Sequence, residues 1–175
     1  MLQVLLPLLL LSASSIAAPS LQSVQSVQSV QTTAQSTAQQ RASDLYYTPI
    51  TSVTDETRYT TKNPDVELVA LNKVKHSKGN LVFSSGQRIS GDKLLVNNYA
   101  DESFTTAVNV EVEMRYPSAT GTGSTLTCIE IYVDSSANDA DAYFTEGSIG
   151  KTAAAILLTS DQTRTFSYEA YFYGY

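Results

Sequence analysis

Thr163-Arg164-Thr165-Phe166-Ser167-Tyr168-Glu169-Ala170-Tyr171-Phe172-Tyr173 is the stretch whose reading decides the fold. Side chains on a strand point alternately to its two faces. Phe166, Tyr168, Ala170 and Phe172 therefore share one face, and Thr165, Ser167, Glu169, Tyr171 and Tyr173 share the other. A helix would scatter the apolar set around its circumference, whereas a strand collects it on a single side. The outer row is unusual in carrying aromatic rings. Ladder packing along the sheet explains such a row; an exposed contact surface explains it too, because tyrosine is favoured at interfaces. Tyr171, Tyr173 and Glu169 are the binding candidates that follow.

Working upstream, Thr152 to Thr159 is an apolar run held between two turns. Its alanines, Ala153, Ala154 and Ala155, have helix propensity, but the short length and the alternating segment that follows predict a buried strand. Gly147-Ser148-Ile149-Gly150 supplies a turn, since glycine adopts positive φ without penalty. Ser124 to Asp134 alternates again, with Thr127, Ile129, Ile131 and Val133 on one face and Leu126, Cys128, Glu130 and Tyr132 on the other. Phe104 to Tyr116 has the cleanest period: Val108, Val110, Val112, Met114 and Tyr116 face inward, and Asn109, Glu111, Glu113 and Arg115 form a wet face. Two short strands around the glycine turns at Gly79, Gly86 and Gly91 account for Leu81 to Val96. Val66 to Lys75 fits a helical stripe about as well as a strand, and the turn after it favours the strand. Asp44 to Pro64, with Pro49 and Pro64 discouraging helix, is expected to cover the domain edge as an irregular strand.

These segments predict an all-β fold, an antiparallel β-sandwich or barrel-like domain of about 7–9 short strands, over residues 46–175. Residues 1–18 read as a signal peptide: Leu2 to Leu11 is an apolar run interrupted only by Gln3 and Pro7, and Ser12 to Ser15, Ala17 and Ala18 lead to a cleavage site. The run is too short to span a membrane. Residues 19–45 form a Gln/Ser/Val/Thr-rich linker that repeats Gln-Ser-Val, too polar to offset the cost of ordering it, and so is expected to be disordered. The predicted location is therefore secreted and extracellular, with no membrane attachment beyond the leader.

The 175-residue chain has one cysteine, one histidine and a formal net charge of −6. One cysteine permits no intrachain disulfide, so Cys128 is expected to be buried or to pair between chains. The acidic balance, spread through the domain, argues against direct binding of nucleic acid. His76 stands in the turn-like Lys75-His76-Ser77-Lys78, and every Ser/His or Cys/His constellation would depend on it. Glu111 and Glu113, beside Arg115, look like a wet face and not an acid/base pair. No catalytic residue is expected, and the protein reads as a non-enzyme. The loop Asp134 to Asp141 offers oxygen ligands from Asp134, Asn138, Asp139 and Asp141 that would suit a hard cation. It lacks the EF-hand glycine and flanking helices, so a solvated hairpin loop is the expectation, with no metal and no cofactor.

Thr127-Cys128-Ile129-Glu130-Ile131-Tyr132-Val133-Asp134, Ala142-Tyr143, Gly147-Ser148-Ile149-Gly150 and Phe166 to Gly174 together resemble the insect family named after multiprotein bridging factor 2. Gly86-Gln87-Arg88-Ile89-Ser90-Gly91-Asp92-Lys93-Leu94 adds to the likeness, which covers about residues 66–175. The resemblance implies no catalytic residues. It implies either a transcription co-activator or a secreted protein of larval gut, saliva or the response to pathogens. The leader points to the secreted branch, and Lys73, Lys75 and Lys78 are too sparse for a nuclear-localisation run. The expected function is thus a secreted, non-enzymatic β-domain that acts through protein or glycan contacts. The alternative is a co-activator bridging a DNA-bound factor to the basal machinery. A third possibility, a carrier of small apolar ligands, requires a cavity between the inner faces of Phe104 to Tyr116 and Thr163 to Tyr173.

Overall fold

A computed structural model describes residues 44–77, 79–118 and 122–175. The predicted leader and nearly all of the predicted linker lie outside the described residues. Leu45, at the end of that linker, is buried in the core.

The elements are β1 (Tyr46–Tyr47), β2 (Thr51–Val53), α1 (Tyr59–Lys62), β3 (Val69–Ala70), β4 (Asn72–Lys75), β5 (Leu81–Gly86), β6 (Lys93–Tyr116), β7 (Leu126–Ser135), β8 (Asp141–Gly147) and β9 (Ala154–Gly174). All strand pairs are antiparallel, and the fold is all-β as predicted.

Two of the strands are not short. β6 runs for 24 residues and β9 for 21, and they pair along nearly their whole lengths. Each changes its other neighbours halfway. The first part of β9, Ala154–Thr159, lies between β8 and the end of β6, whereas Phe166–Gly174 lies between β7 and the beginning of β6. The change of partners coincides with a slip in the β6–β9 register between Ser103 and Val108. One sheet thus consists of two half-sheets sharing their long strands. They fold over a common core, because Tyr116 at the end of β6 meets Phe172 near the end of β9 with ring centroids 6.1 Å apart. β3 pairs with β8 and β4 pairs with β5, so Val69–Lys75 steps from one half-sheet to the other. Leu71, between them, is buried.

The period-2 faces hold. Val110, Val112, Met114, Ile129, Ile131, Val133, Phe166, Tyr168, Ala170 and Phe172 all belong to one buried cluster. Each large apolar side chain enclosed this way contributes about 1.5–3 kcal/mol. The inner faces of Phe104 to Tyr116 and Thr163 to Tyr173 meet each other across this core, where the ligand-carrier possibility required open space between them.

Three local expectations are corrected. Leu126 was expected on the face of Glu130 and Tyr132, yet it joins the core; the register with β9 slips between Leu126 and Cys128, and such a slip turns a side chain to the other face, whereas Cys128, across from Tyr173 in unbroken register with Glu130, keeps the expected face and is buried there. Glu111 does not stand on a wet face. It is 9 % exposed and accepts a 2.7 Å bond from the backbone N–H of Tyr59, the first residue of α1. Burial raises the carboxyl's pKa, against the opposing effect of that bond. The same short helix takes Tyr59–Lys62 out of the segment expected to be irregular strand, whose β1 and β2 do pair with β6.

The bend in β9 is built from hydroxyl groups. Thr163, fully buried, receives a bond from Ser135 Oγ at 2.9 Å and donates to the carbonyl of Thr165 at 2.6 Å. Ser160 Oγ lies 2.8 Å from Ser135 Oγ and donates to the carbonyl of Asp139 at 2.5 Å. Buried polar groups must find partners, and these tie the end of β7 to the bend.

A candidate binding face of tyrosines and carboxylates

The outward residues of β6, β9, β7, β5 and β4 align in rows across one half-sheet. Asn97, Tyr171, Glu130, Ser84 and Asn72 lie side by side; the next row is Tyr99, Glu169, Tyr132, Val82 and Val74. A third, shorter row is Asp101, Ser167 and Asp134. Tyr99 is 60 % exposed and Tyr132 42 %.

Tyr171 is the hub. Its ring meets Tyr132 edge-on at 5.9 Å and lies parallel to Tyr173, within 6°, at 6.4 Å. The Glu169 carboxylate, two residues back on the same face, is the chief cause that pushes the Tyr171 pKa up to about 12. The other side of the row is closed by Arg88, whose guanidinium carbon lies 3.7 Å from the Tyr173 ring centre, a cation–π distance. Asp92 holds that arginine through Nε at 2.9 Å and Nη2 at 2.7 Å. The Asp92 carboxylate also accepts from the Ile89 N–H at 3.0 Å and from Thr127 Oγ1 at 2.9 Å. With the Arg88 bond as the largest cause, its pKa falls to about 2.

Glu130, Tyr132, Glu169, Tyr171 and Tyr173 line a shallow depression of about 410 Å³. Tyr132 also borders a second depression, of about 380 Å³, with His76, Ser77, Asn80 and Val82. Tyr99, Asp101 and Asp134 help line a third, of about 270 Å³. Asp101, Glu130, Asp134 and Glu169 make no salt bridge among the described residues.

The sequence-derived candidates Tyr171, Tyr173 and Glu169 fall together here. Alternation placed Glu130 and Tyr132 on one face together, but nothing in the sequence gave their register against β9. Tyr99 and Arg88 carried no sequence signal for this face.

The acidic loop is put to a different use. Asp139 and Asp141 both accept from Lys73 Nζ, at 2.8 Å and 3.1 Å. Lys73's pKa rises because these bonds outweigh the opposing effect of its burial, and Asp139's falls, mainly through its bond to Lys73. Asn138 turns the chain at φ 53°, with its carbonyl accepting from Lys75 Nζ at 3.3 Å. Asp134 belongs to the tyrosine face. These metal candidates do not converge, and no group of three or more His, Cys, Asp or Glu suited to a metal occurs among the described residues. Cys128 is free and buried, and burial raises its thiol pKa, the direction opposite to an activated nucleophile. His76 is exposed in the turn before β5.

The family model described as "Transcription activator MBF2" matches residues 85–174. No curated protein and no solved structure matches the chain. The matched stretch contains Arg88, Asp92, Tyr99, Glu130, Tyr132, Glu169, Tyr171 and Tyr173, all of the face apart from β4 and most of β5. Since that stretch is more than half of the 175 residues, the chain belongs to the MBF2 family.

Proposed function

We propose that this domain is a non-enzymatic contact module that docks a protein partner on the tyrosine and carboxylate face. The observation that carries the reading is the cluster of Tyr132, Tyr171 and Tyr173 on an outward sheet surface, with carboxylates between and beside them. Tyrosine contributes large contact area at low entropic cost, and its hydroxyl satisfies the polar rim. A protein partner is favoured over a glycan because Arg88 covers one side of the Tyr173 ring, while Tyr132 packs on Tyr171. Both contacts reduce the open ring face on which a sugar would stack.

The first setting is extracellular, with the module secreted and acting in gut, saliva or the response to pathogens. Leu2 to Leu11 and the small residues through Ala18 support it. The second is co-activation of transcription, bridging a DNA-bound factor to the basal machinery, which the description of the family favours. Fractionation of the producing tissue separates them: a processed form beginning near Ala18 in the extracellular fluid supports the first, and unprocessed chain in nuclei supports the second. Docking itself is tested by capture, comparing the chain purified from producing cells with its Tyr171→Ala, Tyr173→Ala variant. Equal capture of the same proteins by both would overturn the assignment of the face.

A further inference from the structure

We infer that the depression between Glu130 and Glu169 receives an arginine or lysine side chain from a basic peptide segment of the partner. This rests on the docking reading above and specifies its chemistry. Glu130 pairs across the ladder with Tyr171, and Tyr132 pairs with Glu169. The four therefore form a checkerboard, carboxylates on one diagonal and rings on the other. Directly opposite Cβ atoms in such a ladder stand about 5 Å apart and diagonal ones about 7–8 Å. A cation seated in the depression, over the edge contact of Tyr132 with Tyr171, thus stands beside both carboxylates.

No other occupant suits that square as well. An apolar group would strip water from two carboxylates without replacing it, and an anion would be repelled. Among the described residues no cation neutralises the square: neither glutamate makes a salt bridge there, and the charge of the neighbouring Arg88 is balanced by Asp92. Arg88 over Tyr173 already displays guanidinium packing on the next ring of the same row. Asp101 and Asp134, one row beyond Glu169, continue the acidic character in one direction. A segment carrying several basic residues therefore fits better than one isolated cation, and complementary charge of this kind sets specificity and association rate. Tyr132 reports the same uncompensated field: its pKa is raised first by burial and then by Glu130, with Glu169 adding to it.

The test titrates the full chain with an acetylated, arginine-rich peptide and with its citrulline counterpart, which keeps the shape and removes the charge. Amide shifts are followed by NMR, and affinity is measured at low and raised salt. The arginine peptide is expected to shift Glu130, Tyr132, Glu169 and Tyr171 and to bind about tenfold or more tightly than the citrulline peptide. Salt should weaken it, and Glu130→Gln with Glu169→Gln should remove the difference while leaving the circular dichroism of the fold unchanged. Equal binding of both peptides, shifts confined to other surfaces, or wild-type affinity in the glutamine variant would each overturn the inference. Capture of natural partners tells the two levels apart. If capture requires Tyr171 and Tyr173 but ignores the glutamates, the basic-segment inference fails and the docking face stands; if it ignores all four residues, both fail.

Discussion

Arg88 lies with its guanidinium carbon 3.7 Å from the centre of the Tyr173 ring, which fastens the connection between β5 and β6 to the outer face of β9. Asp92 orients the arginine from below and is itself almost fully enclosed, with its side chain 1 % exposed. The pair therefore sets one end of the tyrosine row.

The Asp92 carboxylate should resist acid. Its pKa is lowered from 3.8 to about 2, so folding favours the charged form. The stabilisation is fully present above about pH 4, and is lost as pH falls through the folded value near 2. The stability difference between the wild type and Asp92→Asn should be constant above that window and shrink within it, as read by denaturant melts at stepped pH. A difference that does not change between about pH 4 and 2 would contradict this.

Tyr171 should titrate late. Its pKa, raised from 10.0 to about 12 mainly by the Glu169 carboxylate, means that folding favours the neutral phenol. That contribution is complete below about pH 10 and disappears as pH rises through about 12. Glu169→Gln should move the transition back toward the ordinary tyrosine value, as followed by the phenolic ¹³C shift. An unchanged titration in the variant would show that the neighbouring carboxylate is not the cause.

Thr163→Val keeps the shape of the side chain and removes its hydroxyl. The Thr165 carbonyl loses its donor and Ser135 loses an acceptor at a fully buried site. A loss of about 1–3 kcal/mol is expected in urea unfolding. Stability within experimental error of the wild type would mean that the hydroxyl network is not what holds the bend.

Gly86→Ala should destabilise the domain by about 1–3 kcal/mol, because it adds a Cβ at a positive φ. The φ is +76°, and the new atom would stand 2.2 Å from the carbonyl oxygen of Thr127. Gly91→Ala is the control, since its φ is also positive but nothing lies within 4 Å of the added atom. Equal thermal shifts for the two would refute the role of the Thr127 approach.

The alternating faces of Val108 to Tyr116, Ile129 to Val133 and Phe166 to Phe172 were legible because each buries one apolar side and carries polar residues on the other, Glu111 being the one that α1 covers. The continuity of β6 was not. Asn97, Asn98, Asp101 and Glu102 interrupt its apolar pattern, and it is pairing with β9 that extends the strand through them. Ser160, Asp161 and Gln162 looked like a turn between separate strands, yet Gln162 bends one strand at φ 53° while its N–H donates to Asn109 Oδ1 at 3.0 Å. Local composition describes neither the length of a ladder nor a bend fastened by residues far away in the chain.

What the sequence by itself determined is the all-β class, the buried sets Val110 to Tyr116, Ile129 to Val133 and Phe166 to Phe172, and the outward position of Glu169, Tyr171 and Tyr173, since side-chain alternation is a local property of extended backbone. Only the tertiary structure decided that Glu130 stands across from Tyr171 and Tyr132 from Glu169. Register is a relation between distant segments, and a shift of one residue would turn each side chain to the opposite face. The same dependence took Asp139 and Asp141 away from any cation site: folding brought Lys73, far away in the sequence, to both carboxylates.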